Sequence, residues 1–291
     1  MVQRQTLVLT DGTAMLYRGF YAIPRLSTKA GQATNAVFGF VRMTEQLMRN
    51  WKPTHAVVAF DGGMPPERRA LLPEYKANRK PMPDALRSQI PMVVQYLKAA
   101  GIRTVRLDDQ EADDVMATLA VRAREDFAQV LMATCDKDLF QVVDDVIRIV
   151  PQSGDAATMG PDDVLRKTGV RPEQVADWLA LAGDASDNIP GVPGVGAKTA
   201  AKLLSEFGTV ESLLAGIPGI PNARLRTAIE GAREQVERNR RLATLRRDVP
   251  CGLSWEEVEV GAPDREALRA LFEAWEFHSL ANAMAQPMLG L

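Results

Sequence analysis

Cysteine is nearly absent, with Cys135 and Cys251 the only two in 291 residues and far apart in the chain. Two isolated thiols exclude a disulfide framework and a zinc site built on paired cysteines. A reducing cytoplasm is the simplest setting for such a composition. Long hydrophobic runs are missing too: no stretch approaches the roughly 18 uninterrupted apolar residues of a membrane span, so no membrane partner is expected. The N-terminus lacks the build of a signal peptide, because Arg4 leads into a short strand-like run ending at Asp11. There is no internal repeat and no low-complexity tract. Charge of one sign is not in excess either: 35 basic residues face 37 acidic ones, for a net charge of −2. Averaged over the chain, that argues weakly against a nucleic-acid partner.

What is present points elsewhere. The apolar fraction of 46% and charged fraction of 25% are ordinary for a globular protein, and the length suits a core domain with a smaller appendage. The charges fall in blocks. Residues 64–106 carry nine Lys/Arg against three acids, and residues 222–247 carry eight Arg against three Glu. Between these blocks, residues 107–114 (LDDQEADD) hold five carboxylates and no base. Such blocks suggest a phosphate-facing surface beside a cation-binding pocket.

Over the first 150 residues short apolar runs alternate with helical patterns, which predicts a mostly parallel sheet flanked by helices. The expected strands are 6–11, 55–61, 102–107, 129–136 and 146–150, and the clearest helices are Ala36–Arg49, Pro83–Ala100 and Glu111–Arg124. Pro91 predicts a kink in the second helix or its division in two. Segment 62–83, rich in Gly, Pro and basic residues, reads as an ordered lid or a mobile loop over a site. Beyond about residue 160 only helical patterns with Gly/Pro joints remain. The expected division is therefore an α/β core over 1–160 and a helical region over 161–291.

Three expected strands end in an acid: Asp11, Asp61 and Asp136. One Asp after a strand is an ordinary turn former or helix N-cap. Three are another matter, because the ends of parallel strands share one side of the sheet, where ligands bind. Glu111, Asp113 and Asp114 open a helix just past the third strand, and Glu111 and Asp114, three apart, share a face and can converge on one cation. Asp113 points off that line and can reach a neighbouring one. Asp138 lies one residue beyond Lys137, and Asp184 and Asp187 repeat the spacing of three in a Gly/Asn-bounded loop.

Nine carboxylates can thus face one pocket. Two of them about 4 Å apart repel by on the order of 4 kcal/mol at an effective dielectric near 20. The cluster therefore needs cations, or several members must hold protons. All-oxygen ligation favours Mg²⁺ or Mn²⁺ over zinc. Set these nine acids aside and the formal charge of −2 becomes +7, a basic protein around an acidic site.

Six blocks, DGTAMLYRGFYA (11–22), TNAVFGF (34–40), PEYKANRKPMP (73–83), EADDV (111–115), TCDKDLFQVV (134–143) and GDASDNIPGVPGVGAKTAAKLL (183–204), resemble in sequence and order those of the 5′-nuclease domain of bacterial DNA polymerase I, within the flap endonuclease superfamily. The resemblance covers nearly the whole chain. It implies a PIN-like α/β fold followed by a helical region with a helix-hairpin-helix motif at about 183–215. It also implies two metal positions, one held by Asp11, Asp61, Glu111 and one or both of Asp113 and Asp114, the other by Asp136, Asp138, Asp184 and Asp187. Every acidic position of the family pattern is filled.

The implied chemistry is two-metal hydrolysis of a DNA phosphodiester near a 5′ flap, nick or 5′ end, RNA-tipped ends included, leaving a 5′-phosphate. The setting is replication and repair in the bacterial nucleoid, with a DNA polymerase in cis or in trans. Tyr75, Lys76 and Arg79 match the family's gateway residues, in a segment spanning about 62–100. Lys76 and Arg79 are suited to stabilising a transferring phosphoryl group and Tyr75 to stacking on an unpaired base. Arg18 resembles a further phosphate contact. Gly191, Val192, Gly194, Gly196, Lys198 and Thr199 match the hairpin turn that grips a duplex backbone without reading sequence, often with a bound K⁺.

Two departures stand out. Cys135 replaces the family's usual Gly before Asp136, and would strain the loop if that position needed a positive φ. Met64–Arg69 lacks the usual aromatic and Thr, which leaves the gateway's shape open. Two other readings share part of the pattern. A non-catalytic DNA-junction binder would show lost acids, and none is missing; a PIN-type ribonuclease would lack the gateway block and the Gly-rich turn.

Overall fold

The structure, a computed structural model, describes residues 5–152 and 157–285. Five strands, β1 (Thr6–Asp11), β2 (His55–Phe60), β3 (Arg103–Arg106), β4 (Gln129–Ala133) and β5 (Ile147–Val150), form a sheet in the order β3-β2-β1-β4-β5. All its pairings are parallel. Every predicted strand is found, β1 with the expected bounds and the others trimmed by one to three residues at an end. The continuous apolar runs have the expected cause, since β2 is buried along its whole length. β3, at the sheet edge, exposes Arg103 and Arg106 and buries Val105 between them.

Alternate side chains feed two hydrophobic layers. Leu7, Leu9, Val130 and Met132 enter one, together with helix Ala112–Ala123 and with residues of helices Val175–Ala182, Ala197–Phe207 and Arg233–Ala243. Val8, Val58, Leu131 and Ala133 enter the other, with helices Gly12–Ala22, Asn35–Trp51 and Ile90–Ala99. Phe272, Trp275 and Leu280, from the last two helices (Arg265–Ala274 and His278–Ala285) and their junction, join this second layer.

Pro91 divides its helix in two, Asp84–Arg87 and Ile90–Ala99, and sits in the first turn of the second, where a missing N–H costs nothing. Segment 62–83 is ordered: it holds helix Pro66–Leu71 and a chain of turns over 73–79. Among the described residues no strand follows Val150, and no helix is long and apolar enough to cross a membrane.

Candidate metal centre and nucleic-acid interface

The acids at the strand ends are oriented by backbone amides. Asp11, the last residue of β1, caps helix Gly12–Ala22 by accepting from Ala14 N–H at 2.8 Å. Asp61 follows β2 and accepts from Ala112 N–H at 2.9 Å, while Thr13 Oγ1 accepts from its own N–H at 3.0 Å. Asp136, in the loop after β4, accepts from Asp138 N–H at 2.9 Å. The capping explanation therefore holds locally for Asp11, and the same amide bonds fix where these carboxylates sit.

Electrostatics tie the scattered acids into one group. Burial drives Asp11 up from 3.8 to about 7, and Asp61 and Asp136 add repulsion. Burial also holds Asp113 well above the usual carboxylate range, reinforced by Asp136 and Asp11. Asp138 is raised in the same way, by burial and then by Asp136, Asp187 and Asp184. Asp136 is raised by burial, with Asp187 and Asp184 adding to it. Carboxyl oxygens of Asp138, Asp184 and Asp187 lie within 4.8 Å of one another. Asp113 Oδ1, Asp114 Oδ2 and Asp138 Oδ1 are buried and accept no hydrogen bond, although Asp114 Oδ2 lies 2.8 Å from Arg68 Nη1. Orphaned carboxylate oxygens are the donor set that a hard divalent cation satisfies.

Cations of the chain already occupy part of this pocket. Lys76 Nζ lies 2.5 Å from Glu111 Oε1 and 3.4 Å from Asp187 Oδ2. Arg79 Nη2 donates to Asp187 Oδ1 at 2.7 Å. The Tyr75 hydroxyl donates to Asp187 Oδ2 at 2.9 Å and lies 3.3 Å from Glu111 Oε2. Burial alone would raise Glu111, but Lys76 and Arg68 outweigh it and the carboxyl ends below its ordinary range. Burial likewise opposes the ionisation of Asp184, where the Ser186 hydroxyl and Lys137 prevail and the carboxyl is again lowered. The gateway loop is pinned to the loop of Asp184 and Asp187: Lys76 N–H donates to Asp187 O at 3.0 Å, and Asn78 and Asn188 side chains donate to Ala185 O and Glu74 O, each at 2.7 Å. Lys76 itself has φ +55, a left-handed conformation held by that backbone bond.

The hairpin turn lies directly after these acids. Gly194 has φ +80, and a Cβ at Gly194 or Gly196 would meet nothing within 4 Å, so the backbone there is open to approach. Gly196 is the N-cap of helix Ala197–Phe207, and Lys198 is exposed in its first turn. Thr199 is half-buried. Val192 is buried, its N–H bonded to Leu181 O and its carbonyl accepting from Val195 N–H, both at 2.9 Å. Gly191 packs so closely that a Cβ would come within 2.3 Å of Ala182 O. Arg18 is exposed, with Nη1 3.5 Å from Cys135 Sγ. Cys135 is not among the residues with positive φ, so the condition under which it would strain the loop is not met.

Two cations at the site escaped the sequence reading. Lys137 Nζ lies 2.9 Å from Asp184 Oδ1. Arg68, buried at 7% exposure, pairs with both Glu111 and Asp114. Glu111 and Asp114 do converge on a cation, and in this structure it is a guanidinium. The signal for Arg68 was indirect: two acids on one helix face demand a counter-charge, and the basic block over 64–106 was at hand to supply it.

A parallel sheet with a pool of acids beyond its carboxyl edge, followed by a helical unit, defines a PIN-like, resolvase-like nuclease fold. The chain matches the family models for the 5′-3′ exonuclease N-terminal resolvase-like domain over residues 6–169 and the 5′-3′ exonuclease C-terminal SAM fold over residues 170–266. It belongs to the 5′-3′ exonuclease family. It is 37% identical to the 5′-3′ exonuclease of Aquifex aeolicus over 277 residues, covering 95% of this chain and 94% of that protein. It is 39% identical to DNA polymerase I of Bacillus caldotenax over 287 residues, covering 98% of this chain but 33% of that one, so it spans about a third of the length of such relatives. Among solved structures it shares its fold with the bacteriophage T5 D15 flap endonuclease in complex with DNA and metal ions (TM-score 0.68, 20% identity, 97% of this chain and 98% of that one). The catalytic core of Rad2 with a DNA substrate also shares it (TM-score 0.64, 16% identity, 100% of this chain and 93% of that one).

Proposed function

We propose that this chain is a structure-selective 5′ nuclease, hydrolysing DNA phosphodiester bonds as a 5′→3′ exonuclease and 5′-flap endonuclease with two divalent cations, Mg²⁺ or Mn²⁺. The observation that carries this reading is the gathering of acids from five separate chain segments into one pocket, with Asp113 Oδ1 and Asp138 Oδ1 left without partners. One cation position draws on Asp11, Asp61, Glu111 and the pair Asp113/Asp114, with the pairing of Asp114 to Arg68 favouring Asp113. The other draws on Asp136, Asp138, Asp184 and Asp187, three of which already form a compact oxygen cluster. When bound, the cations supply Lewis-acid activation of water and stabilisation of the leaving oxygen.

The chain's own groups do the rest. Lys76 and Arg79, paired with Glu111 and Asp187 at the pocket, are the chain's cations placed to neutralise a scissile phosphate. Tyr75, 3% exposed here, would stack its ring on an unpaired base at the pocket. Arg18 adds an exposed positive charge next to Cys135. The turn over 191–199, through the amides at Gly196 and Lys198 and the open backbone at Gly194, holds duplex phosphates without reading sequence, with K⁺ as its companion ion.

In this reading the α/β core of residues 1–160 carries most of the chemistry and the helical residues 161–291 carry the duplex grip and two acids. The work is removal of flaps or primers during replication and repair on cytoplasmic, nucleoid DNA, beside a polymerase in cis or in trans. The direct test is cleavage of a 5′-flap duplex with Mg²⁺ or Mn²⁺. Products of flap and single-nucleotide size are expected, and no cleavage at any metal concentration would refute the proposal.

A further inference from the structure

We infer that Arg68 and Asp114 form a positioning clamp that orients Glu111 toward the cation pocket, and that Asp114 is not itself a metal ligand. This inference rests on the nuclease reading above and narrows it. Asp114 is committed to Arg68: its Oδ1 is hydrogen-bonded twice, and its Oδ2, which accepts no hydrogen bond, is paired in charge with the same guanidinium. Oδ1 accepts from Arg68 Nη2 at 2.9 Å and from Arg246 N–H at 2.9 Å, and Oδ2 lies 2.8 Å from Arg68 Nη1. The residue has 0% exposure. Its neighbour Asp113, a hundred degrees around the helix, lies instead among acids and is repelled by Asp136, Asp11 and Asp138. Two adjacent acids thus face two different environments, one beside a guanidinium and the other among carboxylates.

Arg68 is built to stay. Its guanidinium pairs with Glu111 Oε2, with both oxygens of Asp114, and with the carbonyl of Thr244 at 3.3 Å. One planar fork therefore joins the helix before the gateway loop (Pro66–Leu71), the acidic end of helix Ala112–Ala123, and the chain after helix Arg233–Ala243. The contrast with Lys76 is informative. Lys76 touches Glu111 through a single flexible ammonium that another cation can replace, whereas removing Arg68 would strand two buried carboxylates side by side. With Oε2 held by Arg68, the long Glu111 side chain keeps one heading and presents Oε1, now on Lys76, for exchange with a divalent ion. Partners of a ligand that fix its orientation typically change metal affinity or activity by ~10- to 100-fold when lost.

The test compares Asp113→Asn, Asp114→Asn and Arg68→Gln with the wild-type chain. Each is read by Mn²⁺ titration calorimetry without DNA and by kcat and KM on a 5′-flap duplex. Wild type is expected to take up two Mn²⁺. Asp113→Asn should lose one ion from the stoichiometry. Asp114→Asn and Arg68→Gln should keep two ions, one of them bound ~10- to 100-fold more weakly, with kcat reduced to a similar degree and KM within about threefold. If Arg68→Gln shows no cooperative melt, Arg68→Lys is read in its place. It keeps the charge but cannot bridge both carboxylates, and it should show the same direction of change. Loss of an ion in Asp114→Asn would make Asp114 a ligand and overturn the inference. Wild-type affinity and kcat in the Arg68 variant would overturn it equally. Failure of the wild-type chain itself to bind Mn²⁺ or cut the flap would instead sink the nuclease reading beneath it.

Discussion

The acid pocket should make the metal-free protein lose stability as pH rises, over a range where most proteins are indifferent to it. Asp11, 7% exposed, has its carboxyl raised from 3.8 to about 7, mainly by burial. A carboxyl raised in the folded state binds its proton more tightly there than in the unfolded chain, so stability is greatest below the unfolded value and falls until the folded value is passed. Between pH 5 and 7 the unfolded Asp is ionised while the folded one still holds its proton. Asp11 alone then costs roughly 2.5 kcal/mol across that interval, at about 1.36 kcal/mol per pH unit. Asp113 and Asp138 act with the same sign. The lowered groups, Glu111 and Asp184, act in the opposite sense, but only below about pH 4.5, outside the window. His55, lowered by burial, opposes the trend only below about pH 6.5.

For a chain of this size, roughly 2–4 °C per kcal/mol implies a fall in Tm of about 5–10 °C. Divalent ions change the balance, because bound carboxylates give up their protons and folding no longer sequesters them. Differential scanning calorimetry in EDTA and in Mg²⁺ or Mn²⁺, at pH 5 and pH 7.5, reads both effects. The metal-induced gain in Tm should be markedly larger at pH 7.5. A metal-free Tm that stays flat or climbs over this range, or a metal gain equal at both pH values, would refute the reasoning.

Other outcomes are expected. Asp136→Ala should abolish flap cleavage while leaving duplex binding by gel shift near wild type, since it removes a pocket carboxylate and no surface base. Lys198→Ala should weaken duplex binding alike across sequences and reduce the slope of log K against log salt by about one, as measured by fluorescence anisotropy; a change in sequence preference would contradict the hairpin assignment. Gly183→Ala should destabilise by at least about 1–2 kcal/mol in urea melts, because φ is +77 and the new Cβ would sit 2.4 Å from Gly191 N. Cleavage should fall with it, as Asp184 is the next residue.

How much of this was legible in the sequence depended on the range of the interaction responsible. The strands were, because burial on both faces leaves an unbroken apolar run in a local window, and the acids at Asp11, Asp61 and Asp136 marked the ends from which a parallel sheet assembles its site. The facing of Glu111, Asp113 and Asp114 was only half legible. Helical phase separates Asp113 from the other two, but which side meets the pocket is decided by Arg68, 43 residues away from Glu111, and by Arg246, 132 residues from Asp114. No local pattern encodes such partners. The pinning of the gateway loop to Ala185 and Asp187 was hidden for the same reason. For Cys135 the sequence left open whether the position needs a positive φ; it does not, and the loop is held by Thr134 Oγ1, which accepts from Asp136 N–H at 3.0 Å.

The chain covers its sheet from both sides in a single long circuit. Helices from the middle of the second half seal one face, and Leu268, Phe272, Trp275, Phe277 and Leu280 return to seal the other beside Val8 and Val58. A fragment cut after residue 160 would therefore lose cladding from both faces at once, and one cut after residue 266 would still strip those five side chains away. The catalytic floor and its far end stand or fall as one cooperative body.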